Sequence, residues 1–318
     1  VILVLTNERD LTSDYVILEL QRRSIPYFRL NSEHLAAARV RYLPVAGKQN
    51  WELDFPNRLL RLEEISAAYF RRPAAPLLSG TVQNVSERAY CASEWGSALR
   101  SIYSALGDLW LNSPAKIALA EDKPRQLSVA VAVGLQIPET VITNDASVAL
   151  NFISAGPTIA KTLYSAVLEG DEGAKSERVI FTNRISNRSF PLAAIEAAPV
   201  IFQREIPKAL DIRVTVVGER VFAAGIASQV REETSVDWRR GSHPDLPHAI
   251  HNLPSKIAER CVAIVRSLGL RFAAIDLVLD PHGAYWFLEA NPNGQWAWIE
   301  NRTGLQIASA IVDELYSI

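Results

Sequence analysis

Two periods of apolar residues run along this chain, and the elements follow from them. Val1-Ile2-Leu3-Val4-Leu5 is an unbroken apolar run and predicts a buried strand. Leu11 to Arg23 reads as a helix with Thr12 or Ser13 as its cap. Pro26 to Leu30 reads as a second strand, and from Val40 to Phe70 the pattern turns to short strands, such as Trp51 to Phe55 and Arg58 to Leu62. Trp95, Leu99, Ile102, Tyr103 and Leu106 fall at helical spacing, so a long amphipathic helix closes this first α/β unit.

A break follows at Asn112-Ser113-Pro114, where proline suits the first turn of a new helix. Helices are expected at Ala115 to Ala120 and Pro124 to Val133. A strand at Thr140 to Ile142, a helix at Ala146 to Ser154 and a strand at Thr158 to Lys161 come next. Leu168 to Glu177 is polar and glycine-containing, the composition of a mobile loop. Gly218-Glu219 between Val214 to Val217 and Val221 to Ala224 signals a tight hairpin. A helix at Ser255 to Leu268 precedes a second hairpin, Phe272 to Leu279 with Ala284 to Ala290, and a final helix is expected from Leu305 to Tyr316.

At 318 residues the chain is too long for one small core, which suggests two or three compact parts. Its 33 basic and 35 acidic residues are nearly balanced, so neither nucleic acid nor an anionic membrane is expected as its main partner. No apolar run approaches the roughly 18 residues that span a bilayer, and the opening strand lacks the basic front and cleavage site of a secretory signal. Cys91 and Cys261 form neither a disulfide framework nor a zinc cluster, and a reducing, cytoplasmic setting is expected.

The chemistry concentrates in the last hairpin. Asp276 lies inside an otherwise apolar strand, and an unpaired carboxylate buried there is costly, so it needs a cation or several donors. Glu289 and Asn291, two apart near the end of the neighbouring strand, point to one face. Together the three offer hard oxygen ligands of the kind Mg2+ prefers beside phosphates. The alternative, three surface polar residues near a turn, sits poorly with the mid-strand position of Asp276.

Lys161, ending a short apolar strand, and Lys123, at a helix start, could each deliver an ammonium to phosphate or be ordinary exposed charges. Gln203-Arg204-Glu205-Ile206 begins a connection that could offer backbone groups to a flat heterocycle. Asp211 could accept from ribose hydroxyls, and Arg213 has its head available for phosphate. A surface salt-bridge strand is the competing reading. Asp237-Trp238-Arg239-Arg240-Gly241 is a basic loop that could contact transferring phosphate or be solvated. There is no Walker loop, Rossmann fingerprint or serine-hydrolase elbow, and the histidines lack zinc-ligand spacing.

Taken in order, YFRRP, NSPAKIALAEDKPRQL, the IAK strand, VIFTNRI, FQREIPKALDIRVTVVGERVFAA, DWRRG, AAIDLVLD and FLEANPNGQWAWIE resemble the ATP-grasp superfamily. The resemblance spans Tyr69 to Glu300. It is closest to the ligases that mature microviridin-type ribosomal peptides, and next to the ribosomal-protein glutamate ligases. It implies an α/β (α+β) ATP-grasp fold with the nucleotide held between two lobes. The expected parts are an N-terminal pre-ATP-grasp domain (1–111), a central subdomain (112–202) and a C-terminal subdomain with the metal site (203–318).

By that resemblance, Lys123 and Lys161 look like the phosphate-binding lysines, Gln203 to Ile206 the adenine connection and Asp211 the ribose contact. Arg213 and Arg239 resemble the catalytic arginines that steady transferred phosphate and acyl-phosphate, and Asp276, Glu289 and Asn291 match the Mg2+ ligands. One departure stands out: the family's Gln-Glu-Tyr is Gln203-Arg204-Glu205 here, which puts the role of the Glu205 side chain in doubt.

The implied cofactors are ATP and Mg2+, and the implied reaction is carboxylate activation through an acyl-phosphate. The implied substrate is a precursor peptide, leader plus acidic core, whose Asp or Glu side chains are joined to Ser, Thr or Lys side chains. Arg71 and Arg72 could hold that acidic core or pair with nearby carboxylates. Leu168 to Glu177 is the expected lid against water, and a homodimer is implied by the resemblance alone. The other readings are a glutamate-adding or amino-acid ligase on the same fold, and a nucleotide-binding regulator without catalysis, which an intact metal set disfavours.

Overall fold

The computed structural model describes residues 1–45, 48–164, 167–168, 178–185, 192–240 and 246–318. The chain begins with β1 (Ile2–Thr6), α1 (Leu11–Arg22), β2 (Tyr27–Asn31), β3 (Arg39–Val45), β4 (Lys48–Phe55), β5 (Arg58–Arg61), β6 (Ala67–Phe70) and α2 (Val85–Ala105). β1 lies between β2 and β6 in a parallel sheet and is buried along its whole length, which is why it carries no polar alternation. β3, β4 and β5 form an antiparallel meander beside it.

The expected cap of α1 is not at Thr12 or Ser13. Both lie inside the helix and are buried, and the cap position is Asp10. Its carboxylate accepts the hydroxyls of Thr6 at 2.9 Å and Ser13 at 2.5 Å rather than a helix N–H.

The middle of the chain comprises α3 (Pro114–Ala120), α4 (Lys123–Ala132), β7 (Thr140–Thr143), α5 (Ala146–Ser154), β8 (Thr158–Lys161), β9 (Val167–Leu168), β10 (Arg178–Val179), β11 (Asn183–Ile185), α6 (Leu192–Glu196) and β12 (Val200–Arg204). Ser113 caps α3 by accepting from the Lys116 N–H, and Asp122 caps α4 by accepting from the Arg125 N–H. Lys123 is therefore the first residue of a helix. An antiparallel sheet in the order β11-β8-β12-β7 carries Lys161 and Gln203 on adjacent strands.

The last part contains β13 (Leu210–Val217), β14 (Arg220–Ile226), β15 (His248–Ile250), α7 (Ser255–Ser267), β16 (Phe272–Leu279), β17 (Tyr285–Asn291), α8 (Ala297–Thr303) and α9 (Ile307–Tyr316). The strands form one antiparallel sheet, β15-β14-β13-β16-β17. Gly218, with φ +58°, turns β13 into β14. The expected final helix is α9, starting at Ile307; α8 before it, which the sequence reading did not name, stops at Gly304, in the left-handed region.

Even-numbered β13 residues (Ile212, Val214, Val216) and odd-numbered β16 residues (Ala273, Ile275, Leu277) pack under α7 and α4. The opposite face carries Asp211, Arg213 and Asp276. Toward one end that face packs on α8, α9 and the first unit through Val217, Phe272, Trp296, Ile2 and Tyr69. Residue 203, where the sequence reading divides the central from the C-terminal part, falls inside β12. Among the described residues, no helix is long and apolar enough to cross a membrane.

Candidate active site

Register across the last sheet sets the site. Arg213 on β13 lies opposite Asp276 on β16, which lies opposite Glu289 on β17. Between Asp276 and Leu277 the pairing with β17 shifts, because Leu277 pairs with Phe287 and Leu288 is an extra residue. The bulge changes which way the strand faces. Phe287 is buried in the layer under α7, whereas Leu288 and Glu289 both line the cleft. Asn291 lines an adjoining hollow together with Glu289 and Lys123.

Arg213 is 6% exposed; its Nη1 donates to Asp276 Oδ1 at 2.7 Å, its Nη2 donates to the Gln295 carbonyl at 3.1 Å, and its Nε has no partner. Gly294 makes room for this arrangement, since a Cβ there would sit 2.8 Å from Arg213 Nη2 and 2.3 Å from the Ala274 Cβ. Glu289 makes no hydrogen bond among the described residues, and its nearest cation is Arg239 Nη1 at 3.7 Å.

Burial pushes the Asp276 carboxyl above its usual range despite Arg213, with Glu289 opposite adding to the rise. Burial acts the same way on Glu289, but Arg239, Lys161, Lys123 and Arg213 more than offset it, so Glu289 lies below the usual range. Among the described residues, no three His, Cys, Asp or Glu side chains cluster as a metal site. A Mg2+ site here would draw on two carboxylates and the Asn291 amide oxygen, which already accepts from the Asn293 N–H at 3.0 Å. An all-oxygen donor set, with Glu289 lacking any hydrogen-bond donor of its own, fits an ion that takes its other ligands from phosphate and water.

The cleft between the two sheets brings together ten of the twelve residues expected from sequence. Lys123, Lys161, Gln203, Arg204, Glu205, Ile206, Asp211, Arg239, Asp276 and Glu289 all line it; Arg213 sits behind Asp276, and Asn291 faces the adjoining hollow. Lys123 Nζ donates to the Thr162 carbonyl at 2.6 Å, joining the start of α4 to the end of β8. Lys161 Nζ donates to Gln203 Oε1 at 2.9 Å, and Gln203 Nε2 donates to Thr140 Oγ1 at 2.9 Å, so a buried amide aims this lysine. Burial lowers Lys161 to about 8 and lowers Lys123 as well.

A lysine with a lowered pKa loses its charge as pH rises through that value. ATP affinity is therefore expected to hold below pH about 8 and to weaken above it. Titrating ATP binding across that range checks this; Lys161→Arg should remove the inflection, and an identical profile in that variant would take Lys161 out of the site.

Arg204 faces the other side of β12. Its guanidinium stacks on Phe152, 3.9 Å from the ring centre, and bonds Glu139, the Gly156 carbonyl and Thr158. Only the backbone of Arg204 is left to serve the cleft. Glu205 forms a two-pronged pair with Arg184, at 2.8 and 2.9 Å. Asp211 is not an idle acceptor: Lys208 Nζ donates to it at 2.9 and 3.1 Å and Ser228 Oγ at 2.5 Å. Ile159, Ile206, Val278 and Leu288 give the cleft apolar walls.

Two residues that sequence reasoning did not single out belong here. Asp237, 4% exposed, accepts Arg239 Nε at 2.8 Å and Nη2 at 2.9 Å, which leaves Nη1 directed at Glu289. Burial works against its charge, but Arg239 and the Thr182 N–H prevail and hold it at about 2. Lys208 also donates to the Val236 carbonyl at 2.8 Å, tying the β12–β13 connection to the Asp237 loop. Its signal was the Lys208-Asp211 spacing next to a proline. Arg71 and Arg72 are split: Arg71 is buried and donates to the Asn293 carbonyl, while Arg72 is exposed with φ +45°. Of the expected lid, only Leu168 is described, opposite Arg178 in the β9–β10 pair; 169–177 lie outside the described residues.

Comparison with known proteins adds the following. A profile for the RimK-like ATP-grasp domain matches residues 120–315, more than half of the chain. A RiPP-associated ATP-grasp ligase of Chryseobacterium gregarium, solved with ADP and a leader and core peptide, superposes with a TM-score of 0.87 at 25% identity, covering 99% of this chain and 96% of that one. Macrocyclase MdnC of Microcystis aeruginosa MRC, bound with precursor peptide MdnA, superposes with a TM-score of 0.84 at 28% identity, covering 100% and 99%. A probable alpha-L-glutamate ligase of Picosynechococcus sp. is 26% identical over 231 residues, 70% of this chain and 72% of the relative.

Proposed function

The chain belongs to the RimK-like ATP-grasp family of ADP-forming ligases that use ATP and Mg2+, and from that premise we propose that it matures a ribosomally made precursor peptide. In this reading it joins Asp or Glu side chains of the peptide to Ser, Thr or Lys side chains as macrocyclic esters or amides. The observation that supports the reading most is closeness of fold over the whole chain, first unit included: the ligases solved with leader and core or precursor peptide superpose at TM-scores of 0.87 and 0.84 over 99–100% of it.

The three-part division at 111/112 and 202/203 serves this reading, with the nucleotide between the second and third parts. Asp276, Glu289 and Asn291 would hold Mg2+, which when bound draws charge from the β- and γ-phosphates as the phosphoryl group transfers. Lys123 and Lys161 bind phosphate oxygens. The backbone of Gln203 to Ile206 meets the adenine between the apolar walls, and Asp211 accepts from the ribose with the lone pairs that Lys208 and Ser228 leave over.

The substrate carboxylate attacks the γ-phosphorus, ADP leaves, and the hydroxyl or amine then attacks the acyl carbon as phosphate departs. Arg239 lines the cleft where negative charge builds in both steps, and Arg213 acts on that charge from behind Asp276; each is held in place beforehand by a carboxylate.

The second reading, glutamate addition, is favoured by the sequence relative. One assay separates the two. With ATP, Mg2+, free glutamate and a leader-plus-core peptide, each bond formed within the peptide should remove one water mass from it and release one ADP. Extension by glutamate instead, with no water-loss product, would overturn the peptide-maturing reading.

A further inference from the structure

Among the described residues β17 is the edge strand of its sheet, so the outward N–H and C=O groups of the segment that carries Glu289 and Asn291 meet no further strand. At Phe287 the gap is closed by the Gln136 carbonyl, which accepts at 2.7 Å. At Ala290, the residue between Glu289 and Asn291, it is closed by a side chain. Gln126 Oε1 accepts the Ala290 N–H at 2.8 Å, and Gln126 Nε2 donates to the Ala290 carbonyl at 2.7 Å. The second Nε2 hydrogen goes to the Ala120 carbonyl at 2.7 Å. Gln126 is 3% exposed, and it lies on α4 one turn after Lys123.

A side-chain amide thus does for one residue what a neighbouring strand does for many. Both donors and one acceptor position of the amide are used, so it has one orientation. The held segment continues beyond Ala290: Asn112 Nδ2 donates to the Pro292 carbonyl at 3.2 Å, Arg71 to the Asn293 carbonyl, and Arg213 to the Gln295 carbonyl.

We propose that Gln126 is a positioning residue for the metal pair, fixing the backbone at Ala290 so that Glu289 and Asn291 project to the same side at a set distance from Lys123. The inference rests on the reading that those two residues bind Mg2+. Without the amide, an edge strand next to a bulge is free to rotate at Ala290, and the two oxygen ligands lose their common aim. Partners that orient metal ligands typically account for about 10–100-fold in metal affinity.

The test uses the full chain carrying Gln126→Met, which keeps the length and removes the three hydrogen bonds. ADP binding is measured by calorimetry with and without Mg2+, with hydrogen exchange at the Ala290 amide. The expected result is a loss of about 10–100-fold in the gain that Mg2+ gives to ADP binding, unchanged Mg2+-free binding and faster exchange at Ala290. Equal weakening in both conditions, as a purely structural role predicts, or no change in the Mg2+ gain would overturn the inference.

Glu289→Gln, measured alongside, separates it from its premise. If that variant keeps the full Mg2+ gain, the metal reading falls and the inference with it. If it loses the gain while Gln126→Met keeps it, only the inference falls. Should Gln126→Met not fold, Gln126→Glu, which still accepts the Ala290 N–H but when charged can donate to neither carbonyl, is read against the same outcomes.

Discussion

Glu289→Gln is expected to abolish ADP release with a small drop in melting temperature, since the cations that hold Glu289 ionised lose a counter-charge, and Asp276→Asn to abolish it with a larger drop. Both substitutions remove an anionic oxygen from the proposed metal site. Loss of the several kcal/mol that a bound metal supplies to phosphoryl transfer corresponds to roughly three orders of magnitude in rate. Their structural consequences differ. Glu289 has no hydrogen bond among the described residues and lies 3.7 Å from Arg239, which keeps its pair with Asp237 when the charge is gone. Asp276 is the counter-charge of Arg213 at 2.7 Å, and both are largely buried. Removing one partner of such a pair costs about 3–5 kcal/mol, less here to the extent that asparagine still accepts one hydrogen bond. Thermal melts and ADP release measured on the same preparations check both halves. A Glu289→Gln enzyme with near-normal turnover would end the metal assignment.

Arg213→Lys should lower kcat by about 100- to 1,000-fold, the usual scale for removing one preset donor from a developing charge, with little change in the KM for ATP. Lysine keeps the charge, but its single ammonium cannot bond Asp276 and the Gln295 carbonyl along two diverging N–H directions as the guanidinium does. The split between kcat and KM is the informative part. Lys123 and Lys161 line the cleft itself, whereas Arg213 stands behind Asp276, outside its wall. A variant with unchanged kcat, or with the whole loss in ATP binding, would remove Arg213 from the proposed chemistry.

Much of this site was legible because its residues break the pattern of their own strands. Asp276 is a carboxylate in an apolar run, and Arg213 and Asp211 alternate with valine and isoleucine on β13. A period of two is enough to put Asp211 and Arg213 on one face of their strand. Ser113-Pro114 and Gly218-Glu219 signalled their elements through backbone chemistry that depends on neighbours only. What was hidden depends on partners distant in sequence. Gln126 looks like any helical glutamine because two of its three bonds go to main-chain groups 164 residues away. Asp237 looked like part of a solvated basic loop, since nothing local says that it is buried and binds Arg239 in two places.

The Gln-Arg-Glu departure at the adenine connection likewise has a three-dimensional answer. Arg204 points out of the cleft to Phe152 and Glu139, and Glu205, the side chain left in doubt, is taken up by Arg184. The cap of α1, expected at Thr12 or Ser13, falls at Asp10 for a related reason. The Asp10 oxygens serve Thr6 and Ser13, a buried polar cluster that competes with helix capping.

The supernumerary residue in β17 has a consequence for how this enzyme tolerates change in length. Strict alternation would send Phe287 and Glu289 the same way; with Leu288 squeezed in, the aromatic ring goes to the hidden layer, and leucine and carboxylate emerge side by side. Excising Leu288 would mend the ladder without altering where Glu289 looks, and would yield a more regular sheet with a thinner wall for the purine. Sheet regularity and ligand fit therefore pull against each other at one codon. A screen selecting only for thermal robustness should drift toward the shorter strand, and one selecting for turnover should keep the longer.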